Sequence, residues 1–200
     1  MIETFLRRPA DAGEVLADVL RLVGLVSAVV AGVVFGPVYF FVFALTLLGL
    51  VVPRFLGVRP GVDIATGVVL LVAAWSAALD LYVTAPPVDI PVHLLLNGLL
   101  AALAAVLLVR TRVLPKMPRV ATVLVTTALG LSLGVLWEFG EWAGNTFVDA
   151  DIFVSYDDTI GDLAVGGLGS LLAGLAMPWV LRDSRWRGTA ADVRERRTAP

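Results

Sequence analysis

Charged side chains are scarce in this sequence. Only 16% of its 200 residues are Asp, Glu, Lys or Arg, whereas 58% are hydrophobic and the mean hydropathy is +0.90. In an average soluble domain, about a quarter of the residues are charged. A disordered chain or a nucleic-acid-binding module would also need more charge on its surface. The composition therefore excludes these three classes and indicates an integral membrane protein.

Cysteine is absent, and His93 is the single histidine. Without cysteine there is no disulfide bond, no thiolate metal ligand and no cysteine nucleophile. One histidine excludes a metal centre built from several imidazoles. The sequence also lacks a phosphate-binding glycine loop, and the residues around Ser170 do not form a nucleophile elbow. The carboxylates and this imidazole are therefore the candidate functional groups.

Long uncharged runs carry most of the hydrophobic character. A helix needs about 20 residues to cross the hydrocarbon core of a bilayer, and four of the five runs fit one crossing each. The first run is too long for one crossing, and Gly36 and Pro37 interrupt it near its centre, which indicates two helices joined by a turn. The runs are Leu22–Pro53, Ile64–Leu79, Ile90–Val109, Val120–Trp137 and Leu163–Leu181.

The basic residues decide the number and orientation of the spans. With six spans, all 15 Lys and Arg residues fall on one face, which the positive-inside rule makes cytoplasmic. A five-span alternative would put Arg7 and Arg8 on the acidic face. The sequence therefore predicts an all-α, polytopic membrane bundle with both termini in the cytoplasm. Its composition is typical of a high-GC bacterial genome, so the predicted location is the bacterial cytoplasmic membrane.

The predicted organisation is one membrane domain of residues 1–182, followed by a flexible, basic, cytoplasmic tail of residues 183–200 that contacts anionic lipid. Rows of small residues on the last two spans, such as Gly130 with Gly134, predict close helix packing. The predicted spans are residues 17–35, 37–56, 63–82, 90–109, 120–141 and 162–181.

The opposite face is acidic and carries no basic residue. Six of its polar side chains form pairs at helical spacing, one pair on each of the last three spans. Residues three or four apart share a helix face, so each pair can converge on one point. Asn97 continues the first pair one turn deeper. The pairs are Asp89 with His93, Glu138 with Glu141, and Asp158 with Asp162.

Ionisable groups at membrane depth are costly and usually functional. Five carboxylates at one end of a bundle cannot all stay ionised close together without a cation or bound protons. A divalent ion such as Mg²⁺, Mn²⁺, Ca²⁺ or Zn²⁺, held by these carboxylates and one imidazole, would relieve the repulsion. The six paired residues are therefore the predicted metal ligands, and His93 and Glu138 are the candidate catalytic residues.

Each pair also has a purely structural interpretation. Asp89 can cap the fourth span, with Pro91 in the first turn. Thr159 with Asp162 resembles a capping box, and Asp158 is another candidate cap. Glu138 is explained less well in this way, because Phe139 and Gly140 follow it on a helix that is still close to the hydrocarbon. Capping and metal binding both stay open at this point.

Three motifs carry a resemblance to a known family. The combination of Asp89-Ile-Pro-Val-His93, Trp137-Glu-Phe-Gly-Glu-Trp142 and Asp158-Thr-x-x-Asp162 resembles the YjdF-like family of bacterial inner-membrane proteins and, more distantly, the VanZ-like proteins. The resemblance covers residues 60 to 180 well and the first hairpin only in hydropathy. It implies a multi-span membrane protein with these residues at its site, and it implies no reaction. An aromatic residue usually follows the family histidine, whereas Leu94 follows it here.

Three functions are compatible with the sequence. The first is a metal-dependent membrane enzyme that acts on a lipid-linked or envelope substrate from the outer face, with one carboxylate or the imidazole as general base. The second is a small ion-coupled transporter, and the third is a structural or partner-binding protein without catalysis. The only partners predicted are membrane lipids, nucleic acid is excluded, and the oligomeric state is left open.

Overall fold

The computed structural model describes residues 1–182 and 184–186. The described residues form eight α-helices and a single 3₁₀ turn at Pro86–Val88, and six of the helices are long and apolar enough to cross a membrane. The helices are α1 (Ile2–Phe5), α2 (Ala12–Phe35), α3 (Pro37–Leu56), α4 (Pro60–Ala78), α5 (Leu81–Thr84), α6 (Asp89–Arg110), α7 (Arg119–Phe147) and α8 (Tyr156–Val180).

Local sequence explains where the first helices begin and end. Asp11 caps α2 by accepting the Glu14 backbone N–H, and this bond lowers the pKa of the Asp11 carboxyl. Gly36 takes φ 95° and Pro37 opens α3, so the hairpin turns at the predicted break. Gly57 ends α3 in the left-handed conformation, with φ 58°.

The helices differ from the predicted spans at the ends that carry the polar residues. α4 ends at Ala78, before the predicted limit at residue 82, because Asp80 adopts a left-handed conformation with φ 55° and a separate short turn follows. α7 continues to Phe147, past residue 141, and α8 begins at Tyr156 instead of residue 162. The polar residues of these two helices therefore lie within regular helix.

The spanning helices pack as two groups of three. α2, α3 and α4 contact one another and form the first bundle, while α6, α7 and α8 form the second. α6 joins the two groups because it also packs against α3 and α4. One end of the molecule carries the N-terminus, residues 184–186 and the basic residues of the described chain, and we call it the basic end. The opposite end, with the connections between α4 and α6 and between α7 and α8, is the acidic end.

Small residues bring the helices of the second bundle into close contact, as the sequence predicted. A Cβ atom at Gly98 would lie 2.7 Å from the Gly169 carbonyl oxygen, and one at Gly130 would overlap the Ser170 hydroxyl. A Cβ at Gly174 would lie 3.0 Å from Cα of Val123. α8 therefore uses one row of small residues against α6 and another against α7.

We expect Gly169→Ala to destabilise this bundle, because the added methyl would overlap the backbone carbonyl of Leu94 on α6. A backbone atom cannot move aside by changing rotamer, so the expected loss is about 1–3 kcal/mol of unfolding free energy. Thermal unfolding in detergent measures it. Gly161→Ala is the matched control on the same helix, since nothing lies within 4 Å of its Cβ position. Equal stability of the two variants would contradict this packing.

A buried ionic network closes the basic end of the first bundle. Glu14 is only 1% exposed, and its carboxylate lies 3.0 Å from Arg7, 3.5 Å from Arg54 and 3.3 Å from Arg185. The backbone N–H of Ala10 also donates to Glu14, at 3.1 Å. Arg54 also donates to the carbonyls of Phe5 and Arg7, so Glu14 and Arg54 together hold the chain that precedes α2 against the bundle.

The residues after α8 contact the first bundle. The backbone N–H of Arg185 donates to the Gly57 carbonyl at 2.8 Å, and the Ser184 hydroxyl donates to the same carbonyl at 3.0 Å. Arg185 also pairs with Asp11 at 2.8 Å. Residues 184–186 therefore lie against the turn between α3 and α4. The rest of the tail predicted for residues 183–200 lies outside the described residues.

Candidate functional site

The three polar helix ends of the second bundle meet at the acidic end. α6 follows the 3₁₀ turn at Pro86–Val88, so Asp89 is its first helical residue and His93 lies one turn further along the same face. α8 is capped by Ser155, whose hydroxyl accepts the backbone N–H of Asp158 at 3.2 Å. Asp162 lies one turn after Asp158. These two helix starts bring their polar faces together.

Asp89, His93 and Asp162 form a compact set of potential metal ligands. One ligand atom from each residue lies within 4.8 Å of the other two. Nε2 of His93 is 3.3 Å from Oδ1 of Asp89 and 3.6 Å from Oδ2 of Asp162. Among the described residues, these three side chains form a group of potential ligands that can converge on one ion.

These three side chains are withdrawn from solvent but still accessible. Their exposed fractions are 22% for Asp89, 14% for His93 and 10% for Asp162. Asp89 makes no capping hydrogen bond at the start of α6. The predicted capping role of Asp89 is therefore wrong, and its carboxylate points to His93 instead. Similarly, α8 begins before Thr159, so Thr159 and Asp162 do not form the capping box that was the alternative.

The remaining predicted ligands surround this set without joining it. Oε2 of Glu138 accepts a hydrogen bond from the Thr159 hydroxyl at 2.7 Å, which links α7 to α8. Oε1 of Glu141 accepts the indole N–H of Trp137 at 2.8 Å. Both acids are half-buried, as is Asp158. The three carboxylates interact electrostatically with one another, and Glu141 and Asp158 both interact with Asp89.

Tyr82 belongs to the site, although it is not among the residues predicted from the sequence. It lies on α5, outside the six spanning helices, and its hydroxyl donates to the Ala73 carbonyl at 3.2 Å. Burial, followed by the charges of Asp89, Glu141 and Asp162, raises the pKa of the Tyr82 phenol. The phenol therefore stays protonated beside the carboxylates. No motif marks this residue, because its position depends on the left-handed turn at Asp80.

The arrangement suits a metal ion bound from one side. Two carboxylates and one neutral imidazole provide three protein ligands, as in catalytic Zn²⁺ sites that keep one position for water or substrate. The same oxygen-rich set also suits Mn²⁺ or Mg²⁺ with additional water ligands. The surrounding acids are the groups that would accept hydrogen bonds from molecules coordinated to such an ion.

Comparison with known proteins identifies the family of this chain. Curated proteins and solved structures give no match. Residues 16–183 match the family described as "Predicted membrane protein (DUF2238)", which is the YjdF-like family that the three motifs resemble. The more distant resemblance to VanZ-like proteins stays a prediction. Because the match covers most of the chain, this protein belongs to the DUF2238 family of predicted membrane proteins.

Proposed function

We propose that this protein is a metal-dependent membrane enzyme, with a divalent ion held by Asp89, His93 and Asp162. The observation that carries the proposal is the convergence of one ligand atom from each of these side chains within 4.8 Å. The three residues come from two different helices, and α6 and α8 pack closely beneath them through Gly98 and Gly169. Such packing supports a rigid ligand set, which metal binding favours.

Charge balance also supports a bound cation. The predicted topology puts all 15 Lys and Arg residues on the face opposite the site. A protonated His93 could neutralise one carboxylate, but Glu138, Glu141 and Asp158 would still repel the remaining acid of the set. A divalent ion compensates both Asp89 and Asp162 and leaves the imidazole neutral as a ligand. Metal binding therefore explains the composition of this site better than a histidine ion pair does.

Glu138 is the general base of this proposal. Its carboxylate is oriented by the Thr159 hydroxyl and lies on α7, opposite the ligands of α6 and α8. A divalent ion lowers the pKa of a bound water, and a nearby carboxylate can then accept its proton. With His93 committed to the metal, Glu138 remains the better placed of the two predicted catalytic residues. The supported reaction class is metal-assisted hydrolysis or a related group transfer.

The surroundings of the site favour an amphiphilic substrate. Phe139 is 62% exposed and Trp137 is 45% exposed, and both are neighbours of Glu138 on a spanning helix. A polar site beside apolar surface can receive a polar head group while the attached chain stays in the bilayer. We therefore assign a lipid-linked or envelope molecule as the substrate class.

Metal analysis of the purified protein tests this function. We expect about one equivalent of a divalent metal per chain, and we expect His93→Gln to abolish stoichiometric binding. Mass spectrometry of metals after removal of loosely bound ions gives the measurement. Asp149→Asn is a suitable control, since Asp149 is an exposed acid on the connection that follows α7. Wild-type protein that takes up no divalent metal would refute the proposal.

The proposal places both termini in the cytoplasm and the site outside, and the absence of cysteine makes this orientation easy to test. A single cysteine introduced at Asp149 should react with a membrane-impermeant maleimide added to intact cells. A cysteine at Leu114, on the connection between α6 and α7, should react only after the cells are opened. The reverse labelling pattern would overturn the orientation and move the site to the cytoplasmic face.

A further inference from the structure

Below the candidate site, each helix of the second bundle contributes one more residue, one turn further into the membrane. Residues four apart lie on the same helix face, so these three residues form the next layer of the same interface. Two of them are glycines, and the third is an asparagine. The layer consists of Asn97 beneath His93 on α6, Gly134 beneath Glu138 on α7, and Gly166 beneath Asp162 on α8.

The two glycines make room for the asparagine side chain. A Cβ atom at Gly166 would overlap Nδ2 of Asn97, and a Cβ atom at Gly134 would lie 3.3 Å from the same nitrogen. Any larger residue at either position would therefore displace or compress the amide. The two glycines therefore leave space for a polar side chain in this interface.

The Asn97 amide has no hydrogen-bond partner among the residues that the structure describes. The Ser170 hydroxyl, which lies on the same helix as Gly166, donates to the Gly166 carbonyl at 2.7 Å. An amide within a membrane helix bundle normally bonds across the interface. The Asn97 amide is only partly buried, so it is free to bond to a molecule that enters the site.

We propose that Asn97 is a ligand-binding residue of the site. Its amide N–H would donate a hydrogen bond to an oxygen atom of the molecule that the site binds beside the metal. The proposal rests on the proposed function, and it extends the site by one layer toward the membrane interior. It also narrows the substrate class, because the amide N–H of Asn97 donates a hydrogen bond to a hydroxyl, carbonyl or phosphoryl oxygen.

The first test compares Asn97→Leu with Asn145→Leu in protein treated with EDTA. Asn145 donates to the carbonyls of Ala150 and Ile152, at 3.1 and 2.7 Å, so its replacement should lower the melting temperature. Asn97→Leu removes no bond to the protein, and the melting temperature should equal or exceed that of wild type. A fall as large as that of Asn145→Leu would show a structural amide and overturn the proposal.

The second test uses Co²⁺ as the metal and acetohydroxamate as an oxygen-donor probe. The visible spectrum of bound Co²⁺ reports both metal occupancy and probe binding. We expect Asn97→Leu to keep its Co²⁺ and to bind the probe roughly tenfold more weakly, the loss of one hydrogen bond. Asn97→Ser, with a smaller side chain, should weaken the probe similarly if Leu prevents folding. Unchanged probe affinity in a metal-loaded variant would overturn the proposal.

The two tests separate this inference from the proposed function. Wild-type protein that binds no Co²⁺ would refute the metal-dependent enzyme, and the melting temperatures in EDTA would still decide whether Asn97 bonds to the protein. Wild-type protein that binds Co²⁺ while Asn97→Leu behaves normally would refute only the role of Asn97.

Discussion

Asp162→Asn should weaken binding of the divalent metal by roughly 100-fold or more, since even residues that only support a metal ligand contribute 10- to 100-fold. Asn keeps the shape of the side chain but removes the negative charge that lies 3.6 Å from His93. Asp162 is the ligand contributed by α8, so its loss leaves two ligands from one helix. Titration with Co²⁺ or Zn²⁺ against a competing chelator measures the change.

Asp80→Asn is the matched control for this measurement. Asp80 is an exposed acid at the same end of the bundle, and its left-handed conformation, with φ 55°, is one that Asn accepts readily. The Asp80→Asn variant should bind the metal as tightly as wild type does. Glu138→Gln should also retain the metal, because Glu138 lies outside the ligand set. If Asp162→Asn and Asp80→Asn bind the metal equally well, the assignment of the ligands is wrong.

The second large effect is expected at the basic end, where Glu14→Gln should cost about 3–5 kcal/mol of unfolding free energy. The substitution leaves the buried guanidinium group of Arg7 without its charged partner, and it leaves Arg54 with Asp18 alone. In a chain of this size the loss corresponds to a fall of roughly 10 °C in melting temperature. Thermal unfolding in detergent gives the measurement.

Glu3→Gln controls for the chemistry of the substitution. Glu3 lies in α1, in the same N-terminal segment, but it is exposed. Its replacement should change the unfolding free energy by less than about 0.5 kcal/mol, as most surface substitutions do. Metal binding at the acidic end should be unaffected in both variants. A Glu14→Gln protein as stable as Glu3→Gln would mean that the network contributes no stability.

Hydropathy alone could predict the six spanning helices, because each needs only length and a lack of charge. It could also predict the break at Gly36 and Pro37, where backbone chemistry is local. The ends of α7 and α8 could not be predicted in this way. Their terminal residues are polar, so hydropathy stops at the membrane boundary while the helical hydrogen bonds continue to Phe147 and from Tyr156.

The site could be predicted as three pairs but not as one ligand set. Helical spacing shows that Asp89 and His93 share a face, whereas the partner of that face depends on how α6 and α8 pack. Tyr82 and the Asp80 turn that positions it carry no periodic signal. The burial of Glu14 could not be predicted either, since burial by residues far away in the chain has no local signature.

The contact between the last described residues and the Gly57 carbonyl has a consequence for biosynthesis. The turn between α3 and α4 enters the membrane early, whereas Ser184 and Arg185 leave the ribosome only after all six spanning helices. Arg185 also completes the set of charges around Glu14. The basic end therefore reaches its final structure only after α8 and Arg185 have been synthesised, and chains interrupted before Arg185 enter the bilayer with this network unfinished.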